Sequence, residues 1–247
     1  MVFPDASLAA WPGAPAWSLI TRLGEAQILL PALLVACAAL AWRGGAGRLA
    51  LGWLAATAAA TLLTTASKVA FIGYGWGWPG LDFTGISGHA MFAAAIWPPL
   101  LWLAAGPLPA PWQGAGWLLG AALALLVGLS RLAVQAHSAS EVLAGLLLGG
   151  AASALVLWVS VRPLRSALPR TPFSAPLQRP LWRGLPLALL LWAVLSVAAA
   201  PPSRSHDWVT RLALAASGRS APFLRNQWPQ ALPALRSWLP AASLQSR

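Results

Sequence analysis

The sequence predicts an all-α polytopic membrane protein built as a bundle of six transmembrane helices. Three observations carry that expectation. The 247 residues are 58% hydrophobic and only 9% charged, against about 25% charged in a soluble domain, and the mean hydropathy is +0.68. Six apolar stretches approach or reach the roughly 20 residues that cross a bilayer. Short Gly- or Pro-rich turns separate several of them, and Trp11, Trp17, Trp42, Trp76, Trp78, Trp112, Trp182 and Trp208 fall near their ends, where a half-wet indole suits the headgroup layer.

The first span is expected over Gly24–Trp42 and the second over Leu49–Ser67, joined by the tight Arg43–Arg48 glycine turn. A Gly/Trp/Pro-rich loop, Tyr74–Gly88, leads to the third, His89–Ala105. The Pro-rich connector from Gly106 then enforces an antiparallel fourth span, Gly114–Leu129 with continuation to Ala136. Glu141–Val161 makes the fifth. After a polar loop with five arginines, Arg162–Arg183, Gly184–Ala200 makes the sixth. The chain divides into an N-terminal interfacial segment (1–22), a membrane domain (23–200) and a C-terminal tail (201–247). Met1–Asp5 carries no basic region ahead of the first apolar stretch, so a cleaved signal peptide is not expected.

Charge sorts the function classes. The net charge is +11, from 16 basic and 5 acidic residues, and Lys68 is the single lysine. The arginines flank apolar runs, which suits lipid headgroups, and they do not form the solvated basic face that nucleic acid requires. Nucleic acid is therefore not an expected partner. Seven arginines of the Arg43–Arg48 and Arg162–Arg183 connections share one side, which the positive-inside rule makes cytoplasmic. Cys37 stands alone in an apolar run, which excludes an intrachain disulfide or a cysteine-built metal centre.

Ionisable residues at or inside spans mark function by default, and here Lys68, Asp82, His89, Arg131, His137 and Glu141 gather at one rim. Lys68 closes the second span, either as a snorkelling lysine or as part of a site. Ser87-Gly88-His89 opens the third. There Ser87 serves as an N-cap, or the helix N-terminus receives phosphate oxygens. His137 and Glu141 are four residues apart, close enough to pair if helical geometry reaches back to the histidine. Ser138 and Glu141 equally make a capping box, and both roles fit the spacing. Asp82 is expected to tether Lys68 or Arg131. His206 has no partner by spacing.

Taken in order, these pieces resemble the type 2 phosphatidic acid phosphatase superfamily of membrane lipid phosphate phosphatases. Its signature is Lys-x6-Arg-Pro, then Pro-Ser-Gly-His, then Ser-Arg-x5-His-x3-Asp. Ser130, Arg131 and His137 match the third motif in register, with Glu141 in place of aspartate. Ser87, Gly88 and His89 match the second, with Ile86 where proline is usual. In the first motif Lys68 is followed seven residues later by Gly75 and then Trp76, where the pattern has arginine and proline. Arg22 or an arginine of the tail is the candidate replacement.

The resemblance implies a six-helix bundle of the lipid phosphate phosphatase type, with His137 as the nucleophile that forms a phosphohistidine and Glu141 orienting it. His89 would protonate the leaving oxygen and then activate water. Lys68, Ser87, Gly88 and Arg131 would bind the phosphate. It calls for no cofactor and no metal, and no acidic cluster in the sequence offers a metal site. The expected function is hydrolysis of a lipid phosphate or diphosphate, with polyprenyl diphosphate (undecaprenyl diphosphate among them), a phosphatidate-like lipid and lipid A as candidate substrates. The alternative is a catalytically impaired relative that binds or transports such a lipid. The expected place is a plasma or inner membrane with the site on the non-cytoplasmic face. The tail carries two amphipathic stretches, Trp208–Ser217 and Ala231–Leu239, suited to the interface or to a solubilising role.

Overall fold

The computed structural model describes residues 14–43, 46–105, 110–161 and 203–227, together with positions 188, 191, 192, 195–197, 199 and 201. Among the described residues the chain is helical, and the one extended pairing is an isolated bridge between Trp78 and Phe83. The helices are α1 (Ala14–Arg22), α2 (Ala26–Arg43), α3 (Gly47–Tyr74), α4 (Gly88–Ala104), α5 (Ala110–Ala133), α6 (Ala139–Val161) and α7 (Ser205–Ser217).

Among the described residues, four stretches are long and apolar enough to cross a membrane: Pro15–Trp42, Gly47–Tyr74, Pro111–Ala133 and Ala139–Trp158. The protein is an integral membrane protein. Leu34, Leu51, Leu62, Leu118 and Leu147 all stand more than half exposed, an arrangement that favours hydrocarbon as the solvent. The helix of the expected third span, α4, has only 17 residues, about 25 Å at 1.5 Å per residue. Twelve of those 17 are buried, so α4 is the hub of the bundle, with α5 and α6 packed along it.

Two pairs of glycines allow that packing. Gly116 and Gly120 on α5, and Gly145 and Gly149 on α6, each repeat at four residues and face α4. A Cβ on Gly120 would sit 2.5 Å from the Trp97 carbonyl oxygen, and one on Gly149 would sit 2.1 Å from that of Met91. Only glycine permits such backbone contact, which is how helices associate where no hydrophobic force separates protein from lipid. Buried indoles are tied down as well: Trp53 Nε1 donates to the Ala95 carbonyl at 3.0 Å and Trp97 Nε1 to that of Leu23 at 2.9 Å.

Five of the six expected spans thus fall on described helices, with shifted ends. The second runs to Tyr74 rather than stopping at Ser67, because Val69–Ile72 continue the apolar run and Gly75 supplies the left-handed stop at φ 72°. Lys68 therefore lies inside α3 and does not close it. Of the sixth span, the described positions 188, 191, 192, 195–197 and 199 are helical, and Trp192 Nε1 donates to the Ile28 carbonyl. The rest of it, and the Arg162–Arg183 loop, lie outside the described residues.

The first amphipathic stretch of the tail is α7, and it is docked. Ala213 is fully buried beside Phe71 and Ile72 of α3, and Tyr74 Oη donates to the Ala216 carbonyl. The second stretch, Ala231–Leu239, lies outside the described residues.

Candidate active site

Four helix ends and two connections converge on one rim: the C-terminal part of α3, the N-terminus of α4, the C-terminus of α5 and the N-terminus of α6. α5 stops where Gln135 turns left-handed at φ 53° and the Ala136 N–H caps the Arg131 carbonyl at 3.1 Å. That stop carries the chain over the start of α6 and sets His137 there. His137 Nδ1 lies 2.7 Å from Glu141 Oε2.

The capping box forms too. Ser138 N donates to Glu141 Oε2 at 3.2 Å, and Glu141 N donates to Ser138 Oγ at 3.4 Å. The two readings of Glu141 are therefore one arrangement, in which the carboxylate that closes the helix start also receives the imidazole. Its other oxygen, Oε1, accepts from Thr84 N at 2.7 Å and Thr84 Oγ1 at 2.5 Å. The Glu141 side chain is fully buried, and this set of donors is what makes a buried carboxylate tolerable.

Ser87 sits at the N-cap position of α4, yet its side chain makes no capping bond. Its N–H donates to the Glu141 carbonyl at 3.1 Å, which ties the starts of α4 and α6 together. Its Oγ is buried with no hydrogen-bond partner among the described residues, as are Thr64 Oγ1 and Arg131 Nε. Lys68 is half-buried, and its Nζ lies 3.9 Å from where a Gly88 Cβ would be, beside the start of α4. Lys68, Arg131 and His137 all act electrostatically on His89, and Lys68 and Arg131 act on His137. The seven site residues expected from the sequence, Lys68, Ser87, Gly88, His89, Arg131, His137 and Glu141, thus share one rim.

His137 lies between spans, and burial holds its pKa below the ordinary histidine value. Lys68 and Arg131 push it the same way, while the Glu141 carboxylate pulls it up through a hydrogen bond and its charge. The imidazole is thus kept neutral with Nδ1–H on the carboxylate, which leaves the lone pair on Nε2.

Two expectations about the surrounding charges change. Asp82 tethers neither Lys68 nor Arg131. Its Oδ2 takes Arg225 Nη1 at 2.7 Å, because the loop carrying Asp82 faces the docked tail. Arg22 is engaged by Glu25 at 3.6 Å and by the Val197 carbonyl. Arg131 is steadied through Thr21 Oγ1, which accepts from Nη1 at 2.8 Å. Thr21, Thr64, Thr84 and Arg225 carry no spacing signal that would bring them to this rim. Ser67, whose Oγ accepts from Ile86 N at 3.0 Å, is only hinted at by its place beside Lys68.

This is a helical membrane protein whose rim holds two histidines, a carboxylate and a set of cationic and hydroxyl donors. Comparison with known proteins gives it a family. A match to the PAP2 superfamily covers residues 55–165, and an uncharacterized 22.5 kDa protein in the cps region of Klebsiella pneumoniae is 42% identical over 146 residues. That alignment spans 59% of this chain and 70% of the relative. The chain belongs to the PAP2 superfamily. Among solved structures it is similar to a transmembrane PAP2-type phosphatidylglycerolphosphate phosphatase from Bacillus subtilis, with 23% identity, a TM-score of 0.49, and coverage of 62% of this chain and 79% of that one. At the coarse level, membership supports a phosphatase that acts on a phosphorylated lipid in a bilayer.

Proposed function

We propose that the protein hydrolyses a phosphate monoester or diphosphate of a lipid through a phosphohistidine on His137. The observation that carries this reading is the set of groups beside the His137–Glu141 pair, where buried Ser87 Oγ and Arg131 Nε have no acceptor among the described residues and Lys68 Nζ lies at the start of α4. Phosphoryl transfer asks little of a protein beyond positioning and positive charge around the equatorial oxygens, and that is what these groups offer.

In the first step His137 Nε2 forms a bond to phosphorus while the bond from phosphorus to the lipid-side oxygen breaks. Protonated His89 gives that oxygen its proton, so the lipid alcohol or lipid phosphate leaves neutralised. In the second step His89, now neutral, takes a proton from water, and the oxygen of that water attacks phosphorus as the bond to Nε2 breaks. Inorganic phosphate departs and both histidines return to their starting states. Proton transfer of this kind contributes about 10²–10⁴-fold. Glu141 holds the Nδ1–H and stabilises the positive charge that the ring gains as Nε2 bonds to phosphorus.

The rim location suits a substrate whose phosphate lies at headgroup level with its chain between helices, such as a polyprenyl diphosphate, a phosphatidate-like lipid or lipid A. The arginines of the opposite connections support a non-cytoplasmic site in a plasma or inner membrane. α6 leaves this rim and α7 is docked on it again, which supports the sixth crossing within a membrane unit of 23–200 and a tail of 201–247.

The test is phosphate release from a panel of lipid phosphates by the detergent-purified protein, with EDTA present. Release is expected, together with an acid-labile phosphorylated enzyme, and both vanish in His137→Ala. Release that persists in His137→Ala removes the nucleophile assigned here. The second reading, a lipid-phosphate binder without turnover, is favoured by Gly75 at the first-motif arginine position, and binding with no release across the panel would establish it.

A further inference from the structure

We infer that Arg225, brought from the C-terminal tail, is a positioning residue for the His137–Glu141 pair. Its Nη2 lies 2.7 Å from Glu141 Oε1 and 3.1 Å from Thr84 Oγ1, and its Nη1 lies 2.7 Å from Asp82 Oδ2. One guanidinium therefore bridges two carboxylates, a use of the planar fork that lysine cannot reproduce.

The tail is built to make this delivery. α7 rests on the end of α3 through Ala213, and Phe223 N donates to the Ile72 carbonyl at 2.9 Å. The Phe223 ring lies 3.3 Å from where a Gly75 Cβ would be, and the Arg219 guanidinium sits 3.9 Å over the same ring. The position that holds arginine in the superfamily signature thus serves here as the floor for Phe223, and two residues further on the tail supplies an arginine of its own. That arginine meets the carboxylate behind the nucleophile.

The consequence is mechanical and electrostatic. Ser138 N–H and Thr84 keep Glu141 Oε2 on His137, and Arg225 on Oε1 fixes the angle at which the carboxylate meets the ring. The charges facing the pair are Lys68 from α3, His89 from α4, Arg131 from α5, and Asp82 and Arg225 from the loop and tail. Arg225 offsets part of the Glu141 charge, so its loss strengthens the pull of Glu141 on an imidazolium at His137.

The kinetic part of this inference rests on the proposed hydrolysis, whereas the electrostatic part does not. The chain has three histidines, so imidazole NMR in detergent micelles follows each, with His137→Ala providing the assignment. In Arg225→Ala the His137 resonance is expected to titrate at higher pH than in wild type. The kcat for phosphate release should fall about 10- to 100-fold, the size of a misplaced reacting group, with KM unchanged. Arg225→Lys, which keeps the charge, should return the titration toward wild type. An unmoved His137 titration in Arg225→Ala overturns the inference whatever the rate does, since a tail that only stabilises the fold would lower the thermal midpoint alone. An unchanged kcat, or an Arg225→Lys titration no different from Arg225→Ala, overturns it as well. If wild type releases no phosphate, the hydrolysis reading fails while the titration still decides the role of Arg225.

Discussion

Glu141 Oε2 meets His137 Nδ1 at 2.7 Å while the same oxygen accepts the Ser138 N–H that starts α6. The orientation of the imidazole is thereby tied to the start of a transmembrane helix, so the ring moves only if the helix does.

The pair has a definite pH signature. Burial, Lys68 and Arg131 hold the His137 pKa below its ordinary value, and Glu141 opposes them. Attack needs the neutral imidazole, so activity is retained below the usual histidine range of about 6.5 and is lost only as pH falls through the lowered value. Glu141→Gln removes the group that pulls the pKa up. The acid limb of kcat/KM against pH should move further down while kcat drops about 100-fold, within the range of acid–base and orienting contributions. A limb that moves upward would show that Glu141 does not act on His137.

Ser87 gives a test in which stability and activity part company. Its Oγ is buried with no partner among the described residues, and an unsatisfied polar group of this kind costs about 1–3 kcal/mol. Ser87→Ala should therefore leave the thermal midpoint unchanged or raised. The hydroxyl is assigned to a phosphate oxygen, and losing a hydrogen bond to a charged group costs about 1.5–3 kcal/mol. The kcat/KM for phosphate release should accordingly fall at least tenfold. A lower midpoint with intact kcat/KM would mean that Ser87 is a structural cap after all.

These two residues also show how far the sequence could be read. The long apolar helices α2, α3, α5 and α6 were legible because an apolar run of about 20 residues has few alternatives, and the His137–Glu141 contact was legible because four residues is one helical turn. Whether Glu141 caps or orients was not, since a single carboxylate with two oxygens does both. The extent of α3 was set by the stop at Gly75, and Lys68 moved inside the helix with it. Thr84 reaches Glu141 across 57 residues and Arg225 across 84, and no periodicity connects such positions. Asp82 and Arg225 are 143 residues apart and equally beyond any spacing signal. The four-residue spacing of Gly116 with Gly120, and of Gly145 with Gly149, is a sequence signal for the α4 contacts.

That packing predicts opposite signs for neighbouring substitutions on α6. A Cβ on Gly149 would lie 2.1 Å from the Met91 carbonyl oxygen, which is backbone and cannot swing aside, whereas one on Gly150 meets nothing within 4 Å. Gly149→Ala should lower the stability of the detergent-solubilised protein by about 1–3 kcal/mol, the usual size of overpacking. Gly150→Ala should raise it by about 0.5–1 kcal/mol, because glycine is the costlier residue inside a helix. Thermal unfolding of the two variants side by side decides this, and equal shifts would sink the account of α4 as the packing hub.

Restoring the signature arginine at Gly75 should harm the protein. Gly75 holds φ 72° as the left-handed stop of α3, where a side chain costs about 1–2 kcal/mol, and any Cβ lies 3.3 Å from the Phe223 ring. Gly75→Arg therefore has to displace Phe223, and with it Arg225, which leaves Glu141 Oε1 without its guanidinium. The variant should lose kcat, and its acid limb should move up in pH as in Arg225→Ala. Shortening the new side chain to Gly75→Ala should retain part of both defects, because the backbone strain and the contact with Phe223 begin at Cβ. A gain of activity in Gly75→Arg with the His137 titration unmoved would mean that an arginine at this position can clamp phosphate alongside the docked tail, and that the tail does not take its place.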